Sequence, residues 1–142
     1  MNVPMNPTVR VIPTGSRSTS KQGLDQFEGV SAQSVGSVGL CAHLLAIPPG
    51  ARANAHRHTG HETAIYVIEG ETEVWFGEDL RLHAIAVAGD FVYIPPGVPH
   101  VPVNTSPTTW ARALVARTDP NVQESVELLP HLDELPHLTG EH

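Results

Sequence analysis

Basic residues are scarce in this chain. Lys and Arg together number 8 against 15 Asp and Glu, giving a formal net charge of −7 over 142 residues. They form no patch, so the electrostatic footprint of a nucleic-acid binder is missing and no nucleic-acid partner is expected. Cysteine is scarcer still. Cys41 stands alone, which excludes an internal disulfide, and its place in an apolar run predicts a buried, unreactive thiol. No apolar run approaches the roughly 20 residues of a membrane-spanning helix. The segment 1–22 lacks the apolar core of a secretory signal, so a cytoplasmic protein without a membrane partner is the expectation. Helical periodicity is not sustained anywhere before residue 120.

What is present instead is punctuation. The 12 glycines and 13 prolines divide the chain into short apolar and β-branched segments at the eight- to twelve-residue spacing of an antiparallel barrel or sandwich. Strands are predicted over Ser37 to Ile47, Ala53 to His58, Thr63 to Ile68, Thr72 to Phe76, Arg81 to Val87, Phe91 to Ile94, Val98 to Val103 and Trp110 to Arg117. The length predicts one domain. Residues 1–22 read as a partly flexible arm, with a short strand over Thr8 to Ile12 and a loop over Ser16 to Gln22. Residues 23–119 read as the barrel, within which Leu24 to Gln33 is ambiguous. Residues 120–142 read as an extension: a short helix or strand over Val122 to Leu129, then a solvated tail carrying His131, His137 and His142.

The chemistry concentrates between Gly50 and Asn104. His56 and His58 are two apart, so on a strand they share a face and can grip one ion. Glu62 lies four residues on, within reach of a turn, and His100 would arrive from another strand. Imidazole with carboxylate suits Fe, Mn, Ni, Zn or Cu without choosing among them. Two blocks carry these residues. Gly89, Pro95, Gly97, His100 and Asn104 fit G-x5-P-x-G-x2-H-x3-N at every position. Gly50, His56, His58 and Glu62 fit the opening of G-x5-H-x-H-x3 or 4-E-x6-G, but seven residues separate Glu62 from Gly70 where the pattern has six. Counting back from Gly70 puts Thr63 in the glutamate's place. A one-residue bulge would restore the register for Glu62, and His61 is the rival fourth ligand.

These blocks resemble the two motifs of the cupin superfamily, in particular its small single-domain metal-binding members. The resemblance implies an all-β double-stranded β-helix, a jelly-roll barrel, with one divalent transition metal ion held by His56, His58, Glu62 and His100. It implies a small oxygen-rich ligand at open metal positions and a homodimer, the arm at Thr8 to Ile12 offering an edge for exchange. The activity expected first is that of a metal-dependent dioxygenase. A metal-dependent isomerase or lyase, or a non-catalytic small-molecule sensor, stands beside it. Three further residues are candidates for substrate binding: Asn54 by parity with His56, and Tyr66 and Tyr93, the two tyrosines, by their nearness to the ligands in sequence. His43 reads as a satisfied core histidine and His83 as exposed. Gly89, Gly97, Pro95 and Asn104 are expected to shape turns rather than to catalyse.

Overall fold

The computed structural model describes residues 8–123 and 125–139. In chain order its strands are β1 (Arg17–Thr19), β2 (Asp25–Val30), β3 (Cys41–Ile47), β4 (His56–His58), β5 (Thr63–Glu69), β6 (Glu71–Phe76), β7 (Leu82–Val87), β8 (Phe91–Ile94), β9 (His100–Val103), β10 (Ala111–Arg117) and β11 (Val126–Leu128). Three one-turn helices accompany them: α1 (Ala32–Val35), α2 (Pro130–Asp133) and α3 (Pro136–Thr139). Two antiparallel sheets face each other, in the orders β1-β2-β3-β10-β5-β8 and β11-β4-β9-β6-β7. This is a double-stranded β-helix, as the strand spacing and the two motifs imply.

The period-two pattern decides which side chains enter the barrel. On β10, Ala111, Ala113, Val115 and Arg117 are buried, while Arg112 and Leu114 face out. On β3, Cys41, His43, Leu45 and Ile47 are buried. One core cluster joins Leu24, Leu45, Ile47, Ala53, Ala111 and Val115. It fills one end of the barrel and leaves the polar inward residues at the other.

Turn chemistry holds the ends. Gly70 sits at φ 77°, and a Cβ there would lie 2.5 Å from the Trp110 carbonyl oxygen. Only glycine combines that backbone with that approach. Asn104 is buried. Its Nδ2 donates to the carbonyls of Ile47 at 3.0 Å and Thr109 at 2.8 Å, and its Oδ1 accepts from the Ser106 amide at 3.0 Å. It fastens the turn after β9 in the structural role expected of it.

Three expectations change. Thr8 to Ile12 forms no strand: Val9 and Val11 are almost fully exposed, with no apolar surface to hold them. The arm's strand forms at Arg17–Thr19, inside the stretch read as a loop, and pairs antiparallel with β2. The ambiguous stretch after Leu24 resolves into β2 and α1, the latter capped by Ser31, whose side chain accepts from the Ser34 amide. Nor is the C-terminal extension a solvated tail over residues 130–139, and His142 lies outside the described residues. Leu129 and Leu132 are buried with Ala55, Leu80 and Val101, and Leu135 and Leu138 pack against them. The Leu129, Leu132, Leu135 and Leu138 spacing of three is the apolar stripe that docks it.

Candidate metal centre

The ligand strand β4 is short and held from both sides. His56 pairs with Leu128 of β11 on one side and with His100 of β9 on the other. The extension adds a clamp. Asp133 Oδ1 accepts from the Ala55 amide at 2.7 Å and from Arg52 Nη1 at 2.9 Å. These bonds fix the bend at Ala55 immediately before the first histidine.

His56, His58 and His100 are all buried, and each offers a ring nitrogen within 4.8 Å of the others'. The ring centroids of His56 and His100 are 4.3 Å apart, and that of His58 lies 5.2 and 5.4 Å from them. Two tautomers follow from the hydrogen bonds. His56 Nδ1 lies 2.7 Å from the Asn54 carbonyl and His100 Nδ1 2.9 Å from that of Val98. A carbonyl can only accept, so both Nδ1 atoms donate and both Nε2 lone pairs are free. His58 Nδ1 is buried with no hydrogen-bond partner.

The rings are held neutral. Burial pushes the His56 pKa down to about 4, against the Asn54 carbonyl, which raises it, and with the Arg117 charge, which lowers it. Burial pushes His100 to about 3, with His56 and Arg117 lowering it further against the Val98 carbonyl. His58 lies far below the ordinary imidazole range, through burial first, then the Arg117 charge and the other histidines. Three converging neutral imidazoles, with two oriented by backbone carbonyls and one left with an orphaned nitrogen, fit a transition-metal ion.

Glu62 is not brought to this cluster. It is exposed, and its Oε1 accepts from Tyr93 Oη at 2.8 Å. β5 presents Thr63, Ile65 and Val67 to the interior, so Glu62 lies outside by alternation. The strand does carry a bulge: Arg112 pairs with Glu69 and Ala113 with Val67, skipping Ile68. That bulge falls after the inward run and leaves Thr63 inside. The count back from Gly70 gives the geometry, and a threonine occupies the inward position. His61 is also elsewhere, with Nδ1 2.8 Å from the Thr118 carbonyl.

The substrate-binding candidates fare unevenly. Asn54 is exposed because the bend at Ala55 resets the parity, and its carbonyl rather than its side chain serves the site. Tyr66 lies on the outer face against Phe91. Tyr93 borders a second cavity but turns its hydroxyl to Glu62. His43 is buried and lines the same cavity as the three ligands. Its Nδ1 has no partner, so it is not the satisfied core histidine expected. Burial, aided by Arg117, pushes its pKa to about 4. His83 is exposed as read, stacked on Trp75 with centroids 4.4 Å apart. Cys41 is fully buried and unpaired, and burial raises its pKa.

Sequence reasoning missed Arg117. It is 3% exposed and lines the cavity beside the histidines. The signal was available: Ala111, Ala113 and Val115 alternate inward, and Arg117 continues their parity. The cavity itself is about 50 Å³. A buried water needs about 10–15 Å³ on this scale, so there is room for an ion and a few ligand atoms. A second cavity of about 330 Å³ shares Val74, Val92, Ile94 and His100 with it, which gives a ligand an approach from the side of β7 and β8.

A family model described as a cupin domain (Cupin_2) matches residues 43–116, and the chain belongs to that family. Comparison with curated proteins finds no match. Among solved structures, a protein from Thermus thermophilus is 31% identical with a TM-score of 0.52, over 58% of this chain and 75% of that one. Oxalate decarboxylase of Bacillus subtilis, studied for its Mn(II) centres, is 25% identical with a TM-score of 0.69, over 87% of this chain. This chain spans 34% of that protein's length. A predicted oxalate decarboxylase from Thermotoga maritima is 20% identical with a TM-score of 0.60, over 82% of this chain and 93% of that one, which is a likeness of fold.

Proposed function

We propose that this cupin holds one divalent transition metal ion on His56, His58 and His100 and takes a small oxygen-rich molecule beside it. The observation that carries the reading is the three neutral, buried imidazoles on β4 and β9, two of them oriented by backbone carbonyls, which turn their free nitrogens toward one point. When bound, the ion supplies Lewis acidity and, if redox-active, a place for dioxygen next to an organic ligand. Three protein ligands leave coordination positions open, and a site closed by protein would be structural. The chain's own residues do the rest. The apolar end of the barrel excludes water, and the cavity shared through His100 admits the ligand.

Oxygenation is the first reading of the chemistry. A lyase or isomerase is the second, favoured by one observation: His43 lines the cavity with a buried Nδ1 that has no hydrogen-bond partner, so its ring is available to hold or pass a proton. The 25% identity to an oxalate decarboxylase with Mn(II) centres supports Mn as one candidate ion and a small carboxylate as one candidate ligand. The test is spectroscopy of the Fe(II) or Co(II) form during titration with diols, enols and keto acids, with oxygen uptake followed in parallel. Ligand-induced spectral change with oxygen consumption supports the oxygenase. Turnover without oxygen transfers the protein to the lyase or isomerase class, and binding without turnover makes it a sensor. No spectral change with any ligand defeats the reading. A homodimer belongs to the same proposal. Leu114, Tyr66 and Phe91 lie in register across β10, β5 and β8 and are all exposed, so they offer an apolar row to a second copy. Light scattering should give twice the 15.2 kDa chain mass, and the monomer mass at micromolar concentration would contradict it.

A further inference from the structure

Arg117 is a buried cation without an ion pair among the described residues. Its Nε donates to Thr63 Oγ1 at 3.3 Å and its Nη1 to the Val122 carbonyl at 2.9 Å. Both acceptors are neutral, and Nη2 has no hydrogen bond among the described residues. A guanidinium keeps its charge, and burying that charge without a counter-ion is costly. The nearest acid in sequence, Asp119, is buried too and its charge acts on Arg117 through space, but it makes no ion pair with the guanidinium: Oδ1 accepts from the Asn121 amide at 2.9 Å, and Oδ2, without a hydrogen bond, lies 4.0 Å from His61 Nε2. Across the strand pairs, Arg117 sits opposite Thr63 on β5 and Cys41 on β3, neither of which is charged. Thr63 holds the inward position where a carboxylate ligand was sought. The cavity therefore gathers a guanidinium and a three-histidine centre, and no carboxylate among the described residues lines it.

We propose that Arg117 is a specificity-determining residue that selects a small monocarboxylate, such as a 2-hydroxy or 2-oxo acid, whose carboxylate pairs with the guanidinium while its second oxygen faces the three histidines. This rests on the metal-centre reading above. The arginine fork matches a carboxylate, and charge-assisted bonds of this kind are the strong ones. The cavity of about 50 Å³ limits the acid to a few heavy atoms at that depth. A neutral diol of the same size lacks the charge that would pair with the guanidinium. The effect of Arg117 on all four cavity histidines agrees with its charge reaching the whole cavity.

Glycolate and ethylene glycol share one hydroxymethyl group and differ in the second group, a carboxylate in one and a neutral alcohol in the other. Both are titrated into the Co(II) form of the full chain while the visible absorption bands are followed. In the wild type glycolate should shift the bands. Arg117→Gln should weaken glycolate at least tenfold and leave ethylene glycol within twofold, and Arg117→Lys should fall between. In parallel, the Arg117 guanidinium resonance of the wild-type Zn(II) form should move as glycolate is added. That second measurement needs no variant, so it decides the matter if Arg117→Gln does not fold. Equal glycolate affinity in wild type and Arg117→Gln overturns the proposal, as does an Arg117 resonance that glycolate leaves in place. If the protein takes up no metal, the centre itself fails, and the same resonance in the metal-free chain still decides whether Arg117 binds the acid.

Discussion

Acidification should unfold the metal-free protein before pH falls to 4. Four imidazoles are buried in the barrel, His43, His56, His58 and His100, and all have pKa values pushed below the ordinary value by burial and by the Arg117 charge. In the unfolded chain each titrates near about 6.5. Below that pH the unfolded state binds protons that the native state refuses, so stability rises with pH through this window and falls on acidification. It is complete above the unfolded value and is lost as pH drops toward the native values of about 4 for His43 and His56. Each group contributes about 1.4 kcal/mol per pH unit when the difference in bound protons is full. Four together approach roughly 5 kcal/mol per unit, against a total of about 5–15 kcal/mol for a domain. Urea unfolding of the apo protein, followed by tryptophan fluorescence between neutral pH and pH 5, reads this directly. His43→Leu should reduce the pH slope by about a quarter, because it removes one of the four groups and is not a proposed ligand. An unfolding free energy that stays flat from neutral pH to pH 5 would refute the reasoning.

Two substitutions test the scaffold that positions the site. Asn104→Ala removes three hydrogen bonds to backbone groups, of which the Ile47 carbonyl is buried, and should cost about 2–4 kcal/mol, at about 1–3 kcal/mol for a buried group left unsatisfied and about 1 kcal/mol or less for each of the two nearer solvent. A change below 1 kcal/mol in denaturant unfolding would contradict its role. Leu132→Ala opens the cluster of Ala55, Leu80, Val101 and Leu129 and should cost about 2–5 kcal/mol. It should also weaken metal retention, because the extension clamps the bend before His56 through Asp133. Unchanged stability would mean that the C-terminal helices do not dock.

The architecture was legible because its signals are periodic. Strand boundaries follow from glycine and proline punctuation, and the second motif spans β8, β9 and the turn that Asn104 fastens. Parity works within an unbroken strand, so it put Arg117 within reach of inference but failed for Asn54, where the chain bends at Ala55. The seven-residue gap before Gly70 fits Glu62 only if a bulge precedes the inward run. The strand keeps its register through Thr63, and its bulge at Ile68 comes too late to turn Glu62 inward. The extension was misread because residues 130–139 are too short for a helical period to stand out. Its four leucines gain their meaning from the surface of Ala55, Leu80 and Val101, which lies far off in sequence.

The central claim is that three histidines, without Glu62, make the metal centre. Metal content is the direct test, measured by elemental analysis on the full chain after exposure to Mn(II), Fe(II), Ni(II) and Zn(II) and removal of excess ion. The account predicts about one equivalent per chain in the wild type and in Glu62→Ala, and its loss in His58→Ala and His100→Ala. A metal-free wild type, or a metal lost in Glu62→Ala while the fold is retained, would contradict it.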